Sequence, residues 1–212
     1  MNNGQIYQAL CTLGDNVKLK LNIDTNSVLN KLQEFNDYWV PYNQKKDTVN
    51  NRYGLPLTSH TGALDDTMHL NSFGYAKRNL DIELTENNFN KYTPAMERLT
   101  EIKEIVDLFP EIGRVHILRI GKGGFFPPHR DFPQLEPDYI RLSCVFGKAK
   151  QENYCLLYDG KPFYHDPGYF YFNNYQKDHS LFSFSDHVYV IILTVKLNED
   201  TYHKIIKHSM SE

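Results

Sequence analysis

The chain has 212 residues, of which 41% are hydrophobic, 23% charged and 14% aromatic, with 15 Tyr and 13 Phe. A formal net charge of −3, with both signs scattered along the chain, gives no electrostatic case for a nucleic-acid groove or an anionic membrane surface. The longest purely apolar run, Val188 to Leu193, is too short to span a bilayer, and Cys11, Cys144 and Cys155 form neither a zinc spacing nor an even disulfide set.

The length suits a single domain over 1–212. The opening Met1-Asn2-Asn3-Gly4-Gln5 lacks a basic stretch followed by an apolar one, so the expected setting is reducing and cytoplasmic. Val17 to Ile23 alternates apolar and polar residues and reads as a short strand. A helix follows from Asp24 or Thr25, carrying Val28, Leu29, Leu32 and Phe35 at helical spacing. From about 40 to 92 the periodicity fades, Asn, Asp, Gly, Pro and Thr dominate, and Arg52 to Leu57 is the best strand-like island. Such a stretch reads as a loop-rich cover whose His60, His69, Arg52 and Arg78 could touch substrate. Trp39 reads as a packing anchor.

Thr93-Pro94-Ala95-Met96-Glu97 joins a cap residue, Pro at the first helical position and an acid in the first turn. The apolar series Met96, Leu99, Ile102, Ile105, Val106 and Phe109 continues that helix to Pro110. After Gly113 short β runs follow at about 114–120, 139–146, 153–158, 168–173, 179–184 and 187–196. They predict an antiparallel sandwich or barrel. A last helix spans about 199–208. The organisation is a helical, loop-rich flank over 1–112, a β core over 113–197 and a C-terminal helix in 198–212.

The chemistry centres on Pro127-Pro128-His129-Arg130-Asp131, read as a turn after the first core strand. In extended backbone His129 and Asp131 point to the same side, and imidazole plus carboxylate begins a two-His-one-carboxylate facial triad. Nine His and fifteen Asp give roughly 0.6 His-x-Asp pairs by chance, so context must carry the assignment. His179, about fifty residues on at a strand start, fits as the third ligand. The spacing leaves room for the strands by which a double-stranded β-helix closes a metal site. The competing readings are that His179 caps a strand end beside Asp178 and that His129 bonds a backbone carbonyl. His165-Asp166 reads as a turn. His129-Arg130-Asp131 also matches the start of a kinase catalytic loop, but Glu136 stands where that pattern needs Asn.

These residues resemble the iron(II)/2-oxoglutarate dioxygenases, and more closely the branch of aspartyl/asparaginyl β-hydroxylases and bacterial proline hydroxylases. The likeness runs through Arg119-Ile120-Gly121, His129-Arg130-Asp131 and Ile140-Arg141-Leu142. It resumes at Gly168 to Asn174, His179-Ser180 and the strand 187–195. The resemblance implies a mainly β fold with flanking helices: a cupin-like, jelly-roll double-stranded β-helix. It implies Fe(II) on His129, Asp131 and His179, 2-oxoglutarate as cosubstrate, dioxygen as oxidant, and hydroxylation of an aliphatic carbon in a small molecule, amino acid or peptide side chain. The family usually places an Arg about ten residues after the distal His, whereas here Asp186 to Ile191 holds neither Arg nor Lys. Arg141 shares a strand face with the polar Tyr139 and Ser143, and the resemblance carries the 2-oxoglutarate role to it. Arg119 is next in line, and Tyr189 or His187 could add a neutral hydrogen bond. Two alternatives stay open: a cupin-like metal enzyme that does not use 2-oxoglutarate, and a non-catalytic β module.

Overall fold

The structure is a computed structural model and describes residues 1–42, 51–65, 77, 81, 83–131, 137–174 and 176–210. The N-terminal half lays down α1 (Asn3–Cys11), β1 (Asn16–Asn22), α2 (Thr25–Leu32) and a 3₁₀ turn over Gln33–Tyr38. Short strands follow: β2 (Val40–Pro41), β3 (Arg52–Pro56), β4 (Thr58–Ser59) and β5 (Lys91–Tyr92). Helices α3 (Pro94–Arg98) and α4 (Thr100–Val106) lead into β6 (Ile112–Ile120) and β7 (Phe125–His129). The remaining strands are β8 (Tyr139–Gly147), β9 (Tyr154–Tyr158), β10 (Lys161–Phe163), β11 (Tyr169–Asn173), β12 (His179–Ser183) and β13 (Val188–Lys196), before α5 (Glu199–His208).

From β6 onward the chain alternates between two antiparallel sheets. The larger runs β1-β11-β8-β13-β6-β3-β2 and the smaller β10-β9-β12-β7. This interleaving is the jelly roll, a double-stranded β-helix. The larger sheet is continuous across the expected flank–core boundary, because β1, β2 and β3 are hydrogen-bonded into it.

Both faces of the larger sheet are covered. Outward, Ile140, Leu142, Phe146, Tyr189, Ile191, Leu193, Val115 and Ile117 join Ile6, Leu10, Val28, Leu32, Ile102 and Val106 of the helices in one core. Inward, Leu118, Ile120, Val145, Val188 and Val190 meet Tyr154, Leu156, Tyr158 and Leu181 across the sandwich. Full burial of a Leu or Ile here is worth about 1.5–3 kcal/mol.

Three local results differ from the expectations. The helix predicted from Thr93 is two helices, because Leu99 leaves the helical region at φ −90°, ψ 64° while staying wholly buried. A first helix that the reading did not include starts at Asn2, whose side chain accepts from Gln5 N in a capping box. The segment around His129, expected as a turn, is strand β7 as far as His129 itself. Its Pro127 and Pro128 are tolerated because β7 is the edge of the smaller sheet. Among the described residues no helix is long and apolar enough to cross a membrane.

Candidate metal centre

Strands β7 and β12 pair with His179 opposite His129, then Leu181 opposite Phe126. Ser180 of β12 thus faces both Pro127 and Pro128 of β7, a bulge that re-aims the end of β7. The two imidazoles come within 4.3 Å, centroid to centroid, and Asp131 lies just past the strand end. His129 Nε2 is 3.5 Å from Asp131 Oδ1, and His179 Nε2 is 3.5 Å from Asp131 Oδ2. One ligand atom from each of the three residues falls within a 4.8 Å set.

The other nitrogens fix the rings. His129 Nδ1 lies 2.7 Å from Pro127 O, and His179 Nδ1 lies 3.1 Å from Lys177 O. In the neutral ring, donation from Nδ1 to a carbonyl puts the lone pair on Nε2, which in both residues is turned toward Asp131, the arrangement that readies a histidine for a metal. Tyr158 stacks on His179 at 5.4 Å and backs it. A two-nitrogen, one-carboxylate set in this compass fits a divalent ion of the Fe(II), Mn(II) or Co(II) kind.

Arg141 enters the same place from β8, donating from Nη1 to Asp131 Oδ1 at 2.7 Å. Burial alone would raise the Asp131 carboxyl, yet the Arg141 charge, with His129 and His179, holds it well below the usual carboxylate range. Burial works against charging His129, but the Asp131 carboxylate outweighs it and raises that imidazole. A second buried pair lies on β6, two strands from β8 in the same sheet, where Arg114 Nη2 donates to Glu86 Oε1 at 2.7 Å. Glu86 sits on a 3₁₀ turn (Glu86–Asn88), so part of the loop-rich 40–92 stretch is scaffold for the sheet.

Of the residues singled out in the sequence, the structure brings together His129, Asp131, His179 and Arg141. Tyr189, Arg119 and His187 do not join them. Tyr189 lies on the outer face of β13, stacked on Phe146 at 5.1 Å and near Trp39 at 5.9 Å. Arg119, opposite Tyr189 in register, also faces outward, with its guanidinium over the Trp39 and Tyr53 rings at 4.7 and 5.1 Å. His187 is exposed in the turn before β13 and contacts Tyr189, not the metal mouth. Residue parity on β6 and β13 sends Arg119 and Tyr189 to the outer side of the sheet, and His187 lies in the turn before β13, so none of the three stands beside Asp131. Trp39 packs against the outer core. His60 lies by Phe89, and His69 and Arg78 fall outside the described residues. His165 is no turn residue on the surface: it is buried against Tyr171 and Phe163.

The reading passed over the aromatic side of the mouth. Tyr42 stacks on His116 at 5.6 Å and packs on Phe126 at 5.9 Å, and Phe126 in turn lies 6.4 Å from the His129 ring. The alternation Arg114-Val115-His116-Ile117 carried a readable signal of a polar inner face. Tyr42, two residues past β2's start, carried none.

No family model matches the chain, and no curated protein sequence does. Solved structures match the fold. A prolyl hydroxylase from Trichoplax adhaerens, in complex with a hypoxia inducible factor oxygen degradation domain peptide fragment, has a TM-score of 0.54. It is 10% identical, with 93% of this chain and 92% of that chain covered. KdgF from Halomonas sp. gives a TM-score of 0.31 at 15% identity over 43% of this chain and 76% of its own. A predicted oxalate decarboxylase from Thermotoga maritima gives 0.31 at 11% identity over 45% and 74%. At such identities the likeness is one of fold.

Proposed function

We propose that the chain is an Fe(II)- and 2-oxoglutarate-dependent oxygenase that hydroxylates an aliphatic carbon of an amino acid or a peptide side chain. The observation that carries this reading is the convergence of His129 Nε2, His179 Nε2 and the Asp131 carboxylate, with both Nδ1 atoms tied to backbone carbonyls. Bound there, Fe(II) would supply the redox centre for dioxygen, with 2-oxoglutarate as the organic reductant. Three protein ligands leave open positions for both.

The chain's own residues divide the remaining work. Pro127 O and Lys177 O hold the two imidazoles in the ligating tautomer. Arg141 keeps Asp131 ionised and oriented toward the two rings. Tyr158, Phe126 and Tyr42 wall the mouth with rings, and a drier mouth strengthens each polar contact within it. The peptide named with the Trichoplax prolyl hydroxylase supports a peptide side chain among the candidate substrates.

One observation favours a second reading, a cupin-like metal enzyme that does not use 2-oxoglutarate. The inner face of β13 carries Val188, Val190, Ile192 and Thr194, so the strand that commonly supplies a cosubstrate cation supplies none before Lys196. Oxygen uptake by Fe(II)-loaded protein separates the two. The oxygenase reading expects uptake that depends on 2-oxoglutarate and releases succinate, rising when free amino acids or short peptides include the substrate. Metal-loaded protein that fails to bind 2-oxoglutarate would overturn it in favour of the second reading.

A further inference from the structure

Among the described residues three buried or largely buried arginines, Arg52, Arg114 and Arg141, face the interior of the jelly roll or its mouth, and two are matched by an acid. Arg141 is held by Asp131 and Arg114 by Glu86. The third, Arg52 on β3, is 7% exposed. Among the described residues no acid forms an ion pair with it, and its Nε has no hydrogen-bond partner. Its guanidinium lies 4.1 Å above the Phe126 ring. That contact crosses from β3, next to the edge strand of the larger sheet, to β7 at the edge of the smaller one. The bend between β6 and β7 holds the two edges in place, with Gly121 N donating to Asn51 O at 2.9 Å. A Cβ on Gly124 would lie 2.7 Å from the same carbonyl, so a side chain there would push Arg52's strand away from β7.

Phe126 thus touches both the guanidinium, at 4.1 Å, and the His129 ring of the candidate metal centre, at 6.4 Å between centroids. Burying a cation without its anion is expensive, and a face-on aromatic ring compensates only part of the cost. Tyr42, Phe126, Ile120 and Leu118 belong to the same inner cluster. One planar guanidinium among apolar groups and rings matches one planar carboxylate.

We propose that Arg52 anchors a carboxylate of the molecule that occupies the metal mouth. This rests on the oxygenase reading for its sources. The carboxylate belongs either to the far end of 2-oxoglutarate or to the substrate, and the chemistry at Arg52 is the same. Arg52 thereby takes the place that the closing strand leaves empty and that Arg141, engaged by Asp131, does not fill.

The test uses Mn(II)-loaded protein, which is stable in air, and isothermal titration with two 2-oxo acids. Pyruvate keeps the chelating end of 2-oxoglutarate and lacks the far carboxylate. If the carboxylate is the cosubstrate's, R52Q weakens 2-oxoglutarate tenfold or more and leaves pyruvate within twofold, with R52K in between. If it is the substrate's, both 2-oxo acids bind R52Q as they bind the parent. Succinate then binds parent protein already saturated with 2-oxoglutarate and fails to bind R52Q. A parent that takes neither 2-oxo acid, yet binds succinate only when Arg52 is present, removes the oxygenase reading and keeps the anchor. Metal content and far-UV circular dichroism accompany each variant. R52M adds a readout that a structural role would not give: the ligand-free protein should melt no lower than the parent, because an unmatched buried charge has gone. The proposal is overturned if R52Q and R52M keep metal and fold and bind all three acids like the parent. It is also overturned if R52M melts well below the parent, since Arg52 is then a structural support.

Discussion

Arg141 Nη1 and Asp131 Oδ1 stand 2.7 Å apart, with the two side chains 17% and 13% exposed. The arginine comes from the middle of the larger sheet and the aspartate from the end of the smaller sheet's edge strand, so the pair closes the sandwich at the candidate metal centre. It also gives Asp131 a cation in the absence of a metal ion.

Replacing Arg141 by Met leaves a buried carboxylate without its partner, which typically costs about 3–5 kcal/mol. A divalent ion on His129, Asp131 and His179 would supply the missing positive charge. Thermal unfolding of Arg141→Met should therefore show a large deficit without metal and a clearly smaller one with Mn(II). An equal deficit under both conditions would mean that Asp131 does not face the metal.

Burial drives the His165 imidazole down to about 4 from its ordinary value near 6.5. Its Nδ1 has no hydrogen-bond partner, and Tyr171 and Phe163 pack on the ring. Between those two values the unfolded chain binds a proton that the folded chain does not. Stability from this group is thus complete above pH 6.5 and is lost as pH falls through 4, by roughly 3–4 kcal/mol in all. His165→Gln should flatten that part of the difference in urea-unfolding free energy between pH 7 and pH 4.5. A variant with the parent's full acid sensitivity would place the effect on other groups.

Tyr189→Phe and Arg119→Gln should leave metal and 2-oxo acid binding within about twofold of the parent. Both side chains point away from the triad. Arg119→Gln should cost roughly 1 kcal/mol of stability, from the lost cation–π contacts with Trp39 and Tyr53. A tenfold loss of 2-oxoglutarate affinity in either variant would reverse the assignment of faces.

That assignment marks where the sequence stopped being legible. Strand β1 and helix α5 were visible in full, the first through its alternation and the second through its periodicity, with Asn198 accepting from Thr201 N as the cap. Alternation along 188–195 also separates two faces. Both are apolar, however: Val188, Val190 and Ile192 on one, Tyr189, Ile191, Leu193 and Val195 on the other. A sheet buried on both sides gives no hydrophobic signal as to which face lines the interior. Which side Tyr189 and Arg119 face is a one-residue question that only the inter-strand register answers. Strand β7 was hidden differently, since Pro127 and Pro128 argue for a turn unless the strand is known to be an edge.

The triad was legible because its signal is chemical. His129 and Asp131 stand two apart in extended chain, and a His begins a later strand of a β-rich half. The two competing readings proved compatible with convergence: His129 does bond a carbonyl, and His179 does open its strand with Nδ1 on one. Those bonds turn the opposite nitrogens toward Asp131. The sequence could not show that Arg52 would lie over Phe126, because that contact joins residues 74 positions apart on two sheets.

The central claim is that His129, Asp131 and His179 form one metal centre, and the most direct measurement is the metal stoichiometry of folded protein. Protein stripped of metal, then reloaded anaerobically with Fe(II) or in air with Mn(II), should retain one equivalent after gel filtration by elemental analysis. The double variant His129→Ala with His179→Ala should retain almost none while its far-UV circular dichroism stays that of the parent, since both rings sit at the mouth of the sandwich and not in its core. A folded double variant that keeps the full equivalent would contradict the metal centre, and with it the proposed oxygenase chemistry.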